Sequence, residues 1–163
     1  MRRVVFATLC VVLSAAAAVA GEFVPTVDAS MEGGRRPVLT ASTNLPEGTK
    51  IVVTVTGYPF RIFASNWEEP FKPEWRRYQE EAYAEVVDGN FRVGPFSDGP
   101  YEMLSGVYQV AIRVAPPEVQ PLAVRAVFGQ HGENLSGPLI VREPSPIFGT
   151  AVTILVNMEY RAW

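Results

Sequence analysis

The chain of 163 residues has a single histidine, His131, so a Ser-His-Asp triad or a histidine metal site must use that residue or be absent. It stands in Gly129-Gln130-His131-Gly132, a setting that suits a solvated loop histidine between turn glycines better than a proton-transfer group. Paired acids occur at Glu68-Glu69 and Glu80-Glu81. Adjacent side chains point apart, whereas glycoside hydrolysis needs two carboxylates facing each other across a bond. Asp98 and Glu102 share a loop and could hold calcium together with backbone carbonyls, but the alternating Asp/Asn pattern around a glycine is missing. The sequence therefore predicts no catalytic set, no metal ligand set and no cofactor. The loops at 97–106 and 129–137 are the places where an ion would sit.

Recognition chemistry is better represented. Trp67, Phe71, Trp75, Tyr78 and Tyr83 fall close together and interleave with Glu68, Glu69, Lys72, Arg76 and Arg77. Rings bury much area and arginines bond in a planar fork, so this mixture is common in contact surfaces. Trp67, Phe71, Trp75, Arg76, Arg77 and Tyr78 are the candidate binding residues. The competing reading packs the rings of this stretch, 66–81, onto the body of the domain. Arg76-Arg77 as an anion clamp is offset by the glutamates on either side.

The first residues give an address. Met1-Arg2-Arg3 precedes an apolar run from Val4 to Ala20 that closes on Ala18-Val19-Ala20. This is the pattern of a cleavable secretory signal, with Ala18 and Ala20 as the small residues before the cut. The run is also near the lower length for a membrane anchor, but its four consecutive alanines give weak hydrophobicity. Cys10 follows Leu9, where a lipoprotein signal would place a small residue, and is read as an apolar filler. Cutting after Ala20 leaves 143 residues, enough for one domain. The cut removes the only cysteine and two of the 14 basic residues, so the net charge moves from −3 to −5. Disulfides and thiol chemistry are then excluded, nucleic acid is disfavoured as a partner, and no stable membrane insertion is expected.

The rest of the chain must position the candidate residues. Residues 21–36 read as a flexible lead, with order expected from Pro37 through 163. Val38–Thr43 and Lys50–Thr56 are predicted strands around the turn Asn44-Leu45-Pro46-Glu47-Gly48-Thr49. In the second of them Ile51, Val53 and Val55 share one face. Phe60–Ala64 reads as a further extended piece, and Pro73–Glu81 as a short helix within the irregular insertion. Asp88-Gly89-Asn90 signals a hairpin between Tyr83–Val87 and Phe91–Val93. Val107–Val114 is a strand with Tyr108, Val110, Ile112 and Val114 inward. Leu122–Phe128 is a short apolar piece, and Thr150–Tyr160 the last strand. Asn134-Leu135-Ser136 matches a glycosylation sequon and is read as loop polarity.

About seven short strands separated by Gly/Pro turns, with at most one helix, predict an all-β antiparallel sandwich. A barrel is the alternative. The terminal aromatic Trp163 suits an outer-membrane barrel, but Glu159 and Arg161 would then face lipid, which argues against it. The motifs Thr43-Asn44-Leu45-Pro46-Glu47-Gly48-Thr49, Gly94-Pro95-Phe96-Ser97, Gly106-Val107-Tyr108 and Gly132-Glu133-Asn134-Leu135-Ser136-Gly137-Pro138 resemble those of uncharacterised bacterial exported domains. That resemblance implies an immunoglobulin-like β-sandwich over residues 37–160 and assigns no functional residue. The expectation is an exported, non-enzymatic binding or assembly module of the cell envelope, periplasmic or extracellular, whose partner is an envelope protein or a glycan. A carbohydrate-binding sandwich using 66–81 is the alternative, and a hydrolase built on His131 is the least supported.

Overall fold

The computed structural model describes residues 21–57, 78–98, 100–146 and 149–163. The signal segment with Ala18 and Ala20, the piece at 60–64, and Trp67, Phe71, Trp75, Arg76 and Arg77 lie outside the described residues. The described chain is all-β and antiparallel. Its strands are β1 (Val27–Glu32), β2 (Val38–Thr43), β3 (Lys50–Gly57), β4 (Tyr78–Glu85), β5 (Asn90–Val93), β6 (Gly106–Val114), β7 (Ile140–Ser145) and β8 (Gly149–Ala162). One short helix, α1 (Leu122–Phe128), precedes β7. The strands form two sheets, ordered β1-β2-β5 and β4-β3-β6-β8-β7. Eight strands thus stand where about seven were expected among the described residues.

Period-two alternation builds the core. Ile51, Val53 and Val55 of β3 and Tyr108, Val110, Ile112 and Val114 of β6 turn inward as expected, and meet Leu39, Ala41, Phe91 and Val93 from the smaller sheet. Val152, Ile154, Tyr160 and Ala162 of β8 complete the same cluster.

Three expectations are corrected. Residues 21–36 are not a loose lead. In β1, Val27, Ala29 and Met31 alternate with exposed Asp28, Ser30 and Glu32, and β1 pairs along its whole length with β2. Upstream, Phe23 pairs with Leu135, and the Asn44 side chain accepts from Thr26 N at 2.7 Å and donates to Val24 O at 2.9 Å. Second, residues 78–81 belong to β4 and not to a helix. Gln, Glu and Ala favour helices in isolation, but full pairing with β3 overrides that preference. Third, Asp88 and Gly89 do make the tight turn, with φ of 51° and 71°, and Val87 and Asn90 exchange backbone bonds across it. The flanking strands then part, β4 to β3 and β5 to β2, so the turn crosses between sheets instead of closing a hairpin. The short apolar piece Leu122–Phe128 is the one α-helix among the described residues: it follows Pro121, ends at Gly129, and buries Val124 and Phe128 four residues apart.

Between β6 and β8 the chain builds a cap over one end of the sheets. It consists of a 3-10 turn at Pro117–Val119, α1 and the loop 129–137, after which the chain enters the sheet as β7. Gln120 fastens it. This buried side chain accepts from Lys50 N at 2.8 Å and donates to Lys50 O at 3.0 Å and to Ala115 O at 2.9 Å.

Candidate binding end

The opposite end of the sheets carries the roots of the aromatic insertion. β3 leaves at Gly57 and β4 returns at Tyr78, and these two residues are register partners. Gly57 is also the partner of Tyr108 on β6. The Tyr78 and Tyr108 rings meet edge to face, 5.8 Å apart at 88°. Tyr78, alone of the candidate binding residues, is among those described. Its hydroxyl is half-buried and donates to Glu80 Oε2 and to Ser97 O, while Ser97 N donates to the same carboxylate at 3.2 Å. Tyr78 therefore anchors the insertion's return to the loop 94–105. The structure gives it a packing role that the sequence could not distinguish from exposure.

That loop and the β1–β2 turn form a cleft of 570 Å3 lined by Arg35, Arg36, Asp98, Pro100, Tyr101, Glu102 and Leu104. One side-chain and one backbone hydrogen bond lock them together: Arg35 Nε donates to Met103 O at 2.7 Å, and Met103 N to Arg35 O at 2.9 Å. Glu102 lies 3.6 Å from Arg35 and 4.0 Å from Arg36, and Arg36 also reaches Pro100 O at 3.3 Å. Two guanidinium groups around one carboxylate set this loop against calcium and toward polar or anionic recognition. Tyr101 and Leu104 are 73% and 54% exposed, and the terminal Trp163 is 65% exposed. Trp163 belongs to the same end, because β8 finishes opposite the start of β6 and Tyr160 of β8 donates to Gly34 O. None of Arg35, Arg36, Tyr101, Leu104 or Trp163 was singled out from the sequence as a binding residue. Each is scattered along the chain, and only the crossing of the strands brings them together.

The chain matches no protein-family model, no curated protein and no solved structure. Function is therefore argued from the geometry of these residues.

At the capped end, His131 is 77% exposed with its Nδ1 3.1 Å from Glu118 Oε1. The backbone N–H groups of Gln130 and His131 donate to the Glu133 carboxylate, and these bonds, the one from His131 foremost, hold its pKa below the ordinary value. Glu133 shapes the loop through those backbone bonds. Among the described residues no group of three His, Cys, Asp or Glu side chains is placed to hold a metal ion, and no helix is long and apolar enough to cross a membrane.

The phenols near the insertion's root make a pH prediction. Burial first, then the hydrogen bond and charge of Glu80, push Tyr78 far above the ordinary phenol value. Burial, then Asp98, also raises Tyr108, against a smaller lowering by Arg35, and burial raises Tyr160. The unfolded chain ionises its phenols near pH 10 while the native state keeps them protonated. The linked stability is thus fully present below about pH 10 and falls as pH climbs above it. Urea midpoints taken across that range should drop, and Tyr78→Phe should lessen the drop. A Tyr78 that ionises near pH 10 in the folded protein would contradict this assignment.

Proposed function

We propose that this protein is an exported, non-enzymatic binding module of the cell envelope, built on an immunoglobulin-like sandwich and contacting its partner through the end that carries the insertion. Strand order supports the scaffold. β1-β2-β5 against β3-β6-β8 follows the A-B-E and C-F-G orders of that fold, with β4 added beside β3 and β7, an extra strand, beside β8. Tyr108, near the start of β6, donates to Leu104 O at 2.6 Å, four residues upstream, as the tyrosine corner of such sandwiches does. Among the described residues the disulfide and core tryptophan of antibody domains have no counterpart, and aliphatic residues together with Phe91, Phe96 and Tyr108 fill the core.

One observation carries the functional reading. The two roots of the aromatic and arginine-rich insertion, the Arg35–Arg36 cleft, and exposed Tyr101, Leu104 and Trp163 all occur at one end. A mixture of rings and arginines with fixed backbone support is the composition of a contact surface.

Because Gly57 and Tyr78 are register partners, residues 58–77 can be replaced by a turn of about four residues that closes β3 directly onto β4. A deletion running to residue 81 would instead remove half of β4. The shortened protein is expected to keep its melting temperature within a few degrees and to lose capture of an envelope partner. Trp67→Ala and Trp75→Ala in the intact chain should weaken the same capture. Undiminished capture by the shortened protein would overturn the reading. If capture from glycan arrays, and not from protein extracts, is what disappears, the partner is carbohydrate stacked on the rings.

A further inference from the structure

Every residue of α1 except Arg125 is apolar. Val124 and Phe128 turn into the core, and at about 100° per residue Leu122, Ala126, Ala123 and Val127 share an outer arc about 140° wide. All four are exposed, Leu122 at 74%, and Val119 in the 3-10 turn just before the helix is 48% exposed. Arg125 stands between Phe128 and Leu122 around the helix and is half-buried. A helix that is apolar on every side is ordinarily buried among other elements, whereas this one shows its outer arc to solvent.

The chain enters the domain at this same cap. Phe23 N donates to Asn134 O at 2.7 Å and Ser136 N to Phe23 O at 3.1 Å, and the Phe23 ring lies 5.6 Å from that of Phe128. The Asn134 side chain in turn donates to Val127 O at 3.1 Å. Only Gly21 and Glu22 separate Phe23 from Ala20, the last residue of the apolar run Val4–Ala20. An export signal lies in the bilayer while it remains attached, so three extended residues hold the cap within about 10 Å of the membrane surface. The roots of the insertion are at the far end of β3 from Lys50, about 23 Å away. A second copy of the chain is a poorer occupant of the arc. α1 is about 10 Å long, and four side chains on it fall far short of the roughly 800 Å2 per partner of a stable interface. A bilayer needs no such area, because the attached run already keeps the cap beside it.

We propose that the outer arc of α1, with Val119, is a membrane-contact surface that rests on zwitterionic lipid and stands the domain cap-down, with the insertion end directed away from the bilayer. The arc carries no charge, so the contact is apolar and insensitive to salt, and it lies on the membrane without spanning it. The proposal rests on the export reading of Val4–Ala20 and is independent of what the insertion end binds.

The test uses the full chain in vesicles of phosphatidylcholine and phosphatidylethanolamine, some of the lipids carrying a nitroxide quencher high on the acyl chain. A fluorophore is attached to Cys10 or, after Cys10→Ser, to Leu122→Cys, Ala126→Cys or Tyr101→Cys. Quenching is expected at Cys10, and at 122 and 126 it should exceed that at 101 by at least about threefold and persist when salt is raised to about 0.5 M. Leu122→Asp should lower the quenching at 126 by about half or more. An unquenched probe at 122, equal quenching at 101 and 122, quenching at 126 that ignores Leu122→Asp, or a lipid-free dimer that shields the probe at 122 would each overturn the proposal. An unquenched Cys10 would overturn it together with the export reading, which separates the two failures. The comparison of 122 with 101 decides even if the aspartate variant fails to fold.

Discussion

Replacing Gln120 with alanine is expected to destabilise the protein by about 2–4 kcal/mol, combining a cavity with the loss of partners for buried backbone groups. The side chain is 4% exposed and makes three hydrogen bonds, to Lys50 N, Lys50 O and Ala115 O. It acts as a short stretch of missing strand. Its amide does for the start of β3 what a neighbouring backbone would do, and ties the cap to the sheet. Lys50 O keeps a second donor in Ala115 N, so the exposed cost falls on Lys50 N and Ala115 O. Gln120→Leu separates the two contributions. It restores most of the volume but none of the bonds, and should recover less than half of the lost stability in urea denaturation. A leucine variant as stable as wild type would show that packing alone holds the cap.

How much of this was readable in advance depends on where each residue finds its partner. The inward faces of β3 and β6 were legible because Ile51, Val53 and Val55, and Val110, Ile112 and Val114, alternate without interruption, and burial on one face enforces that pattern. The alternation in β1 was equally present in Val27, Ala29 and Met31. Small and polar neighbours and the following Gly33-Gly34 masked it. α1 carried its own signals, a proline before it, a glycine after it, and Val124 and Phe128 spaced four apart. β4 was not legible. Its composition favours a helix, and only the ladder with β3 makes it a strand. The cleft was invisible for a related reason: Arg35, Tyr101 and Trp163 are 62 or more residues apart in the chain, and sandwich topology alone gathers them at one end.

The corner where the insertion begins yields the second large effect. Gly57 is flanked in register by Tyr78 on one side and Tyr108 on the other. A Cβ at Gly57 would press into the Tyr108 ring, within 2.9 Å of Cδ1, and lie 3.0 Å from Tyr78 Cβ. The backbone there is ordinary extended strand, so the requirement for glycine comes from the ring laid over it and not from its dihedral angles. Tyr108 cannot readily move away, because its hydroxyl is bonded to Leu104 O and its ring to Tyr78. Gly57→Ala is therefore expected to cost about 1–3 kcal/mol through overpacking. In a Tyr108→Leu background the same substitution should cost little, giving a coupling of at least about 1 kcal/mol in a double-mutant cycle. The corner also joins stability to function. Gly57 and Tyr78 are the exit and return of residues 58–77, and Leu104, which receives the Tyr108 bond, lines the cleft. Gly57→Ala should accordingly weaken partner capture even at temperatures where the variant remains folded. Capture equal to wild type, together with no coupling to Tyr108, would mean that the Gly57–Tyr108 corner and the proposed binding end are independent.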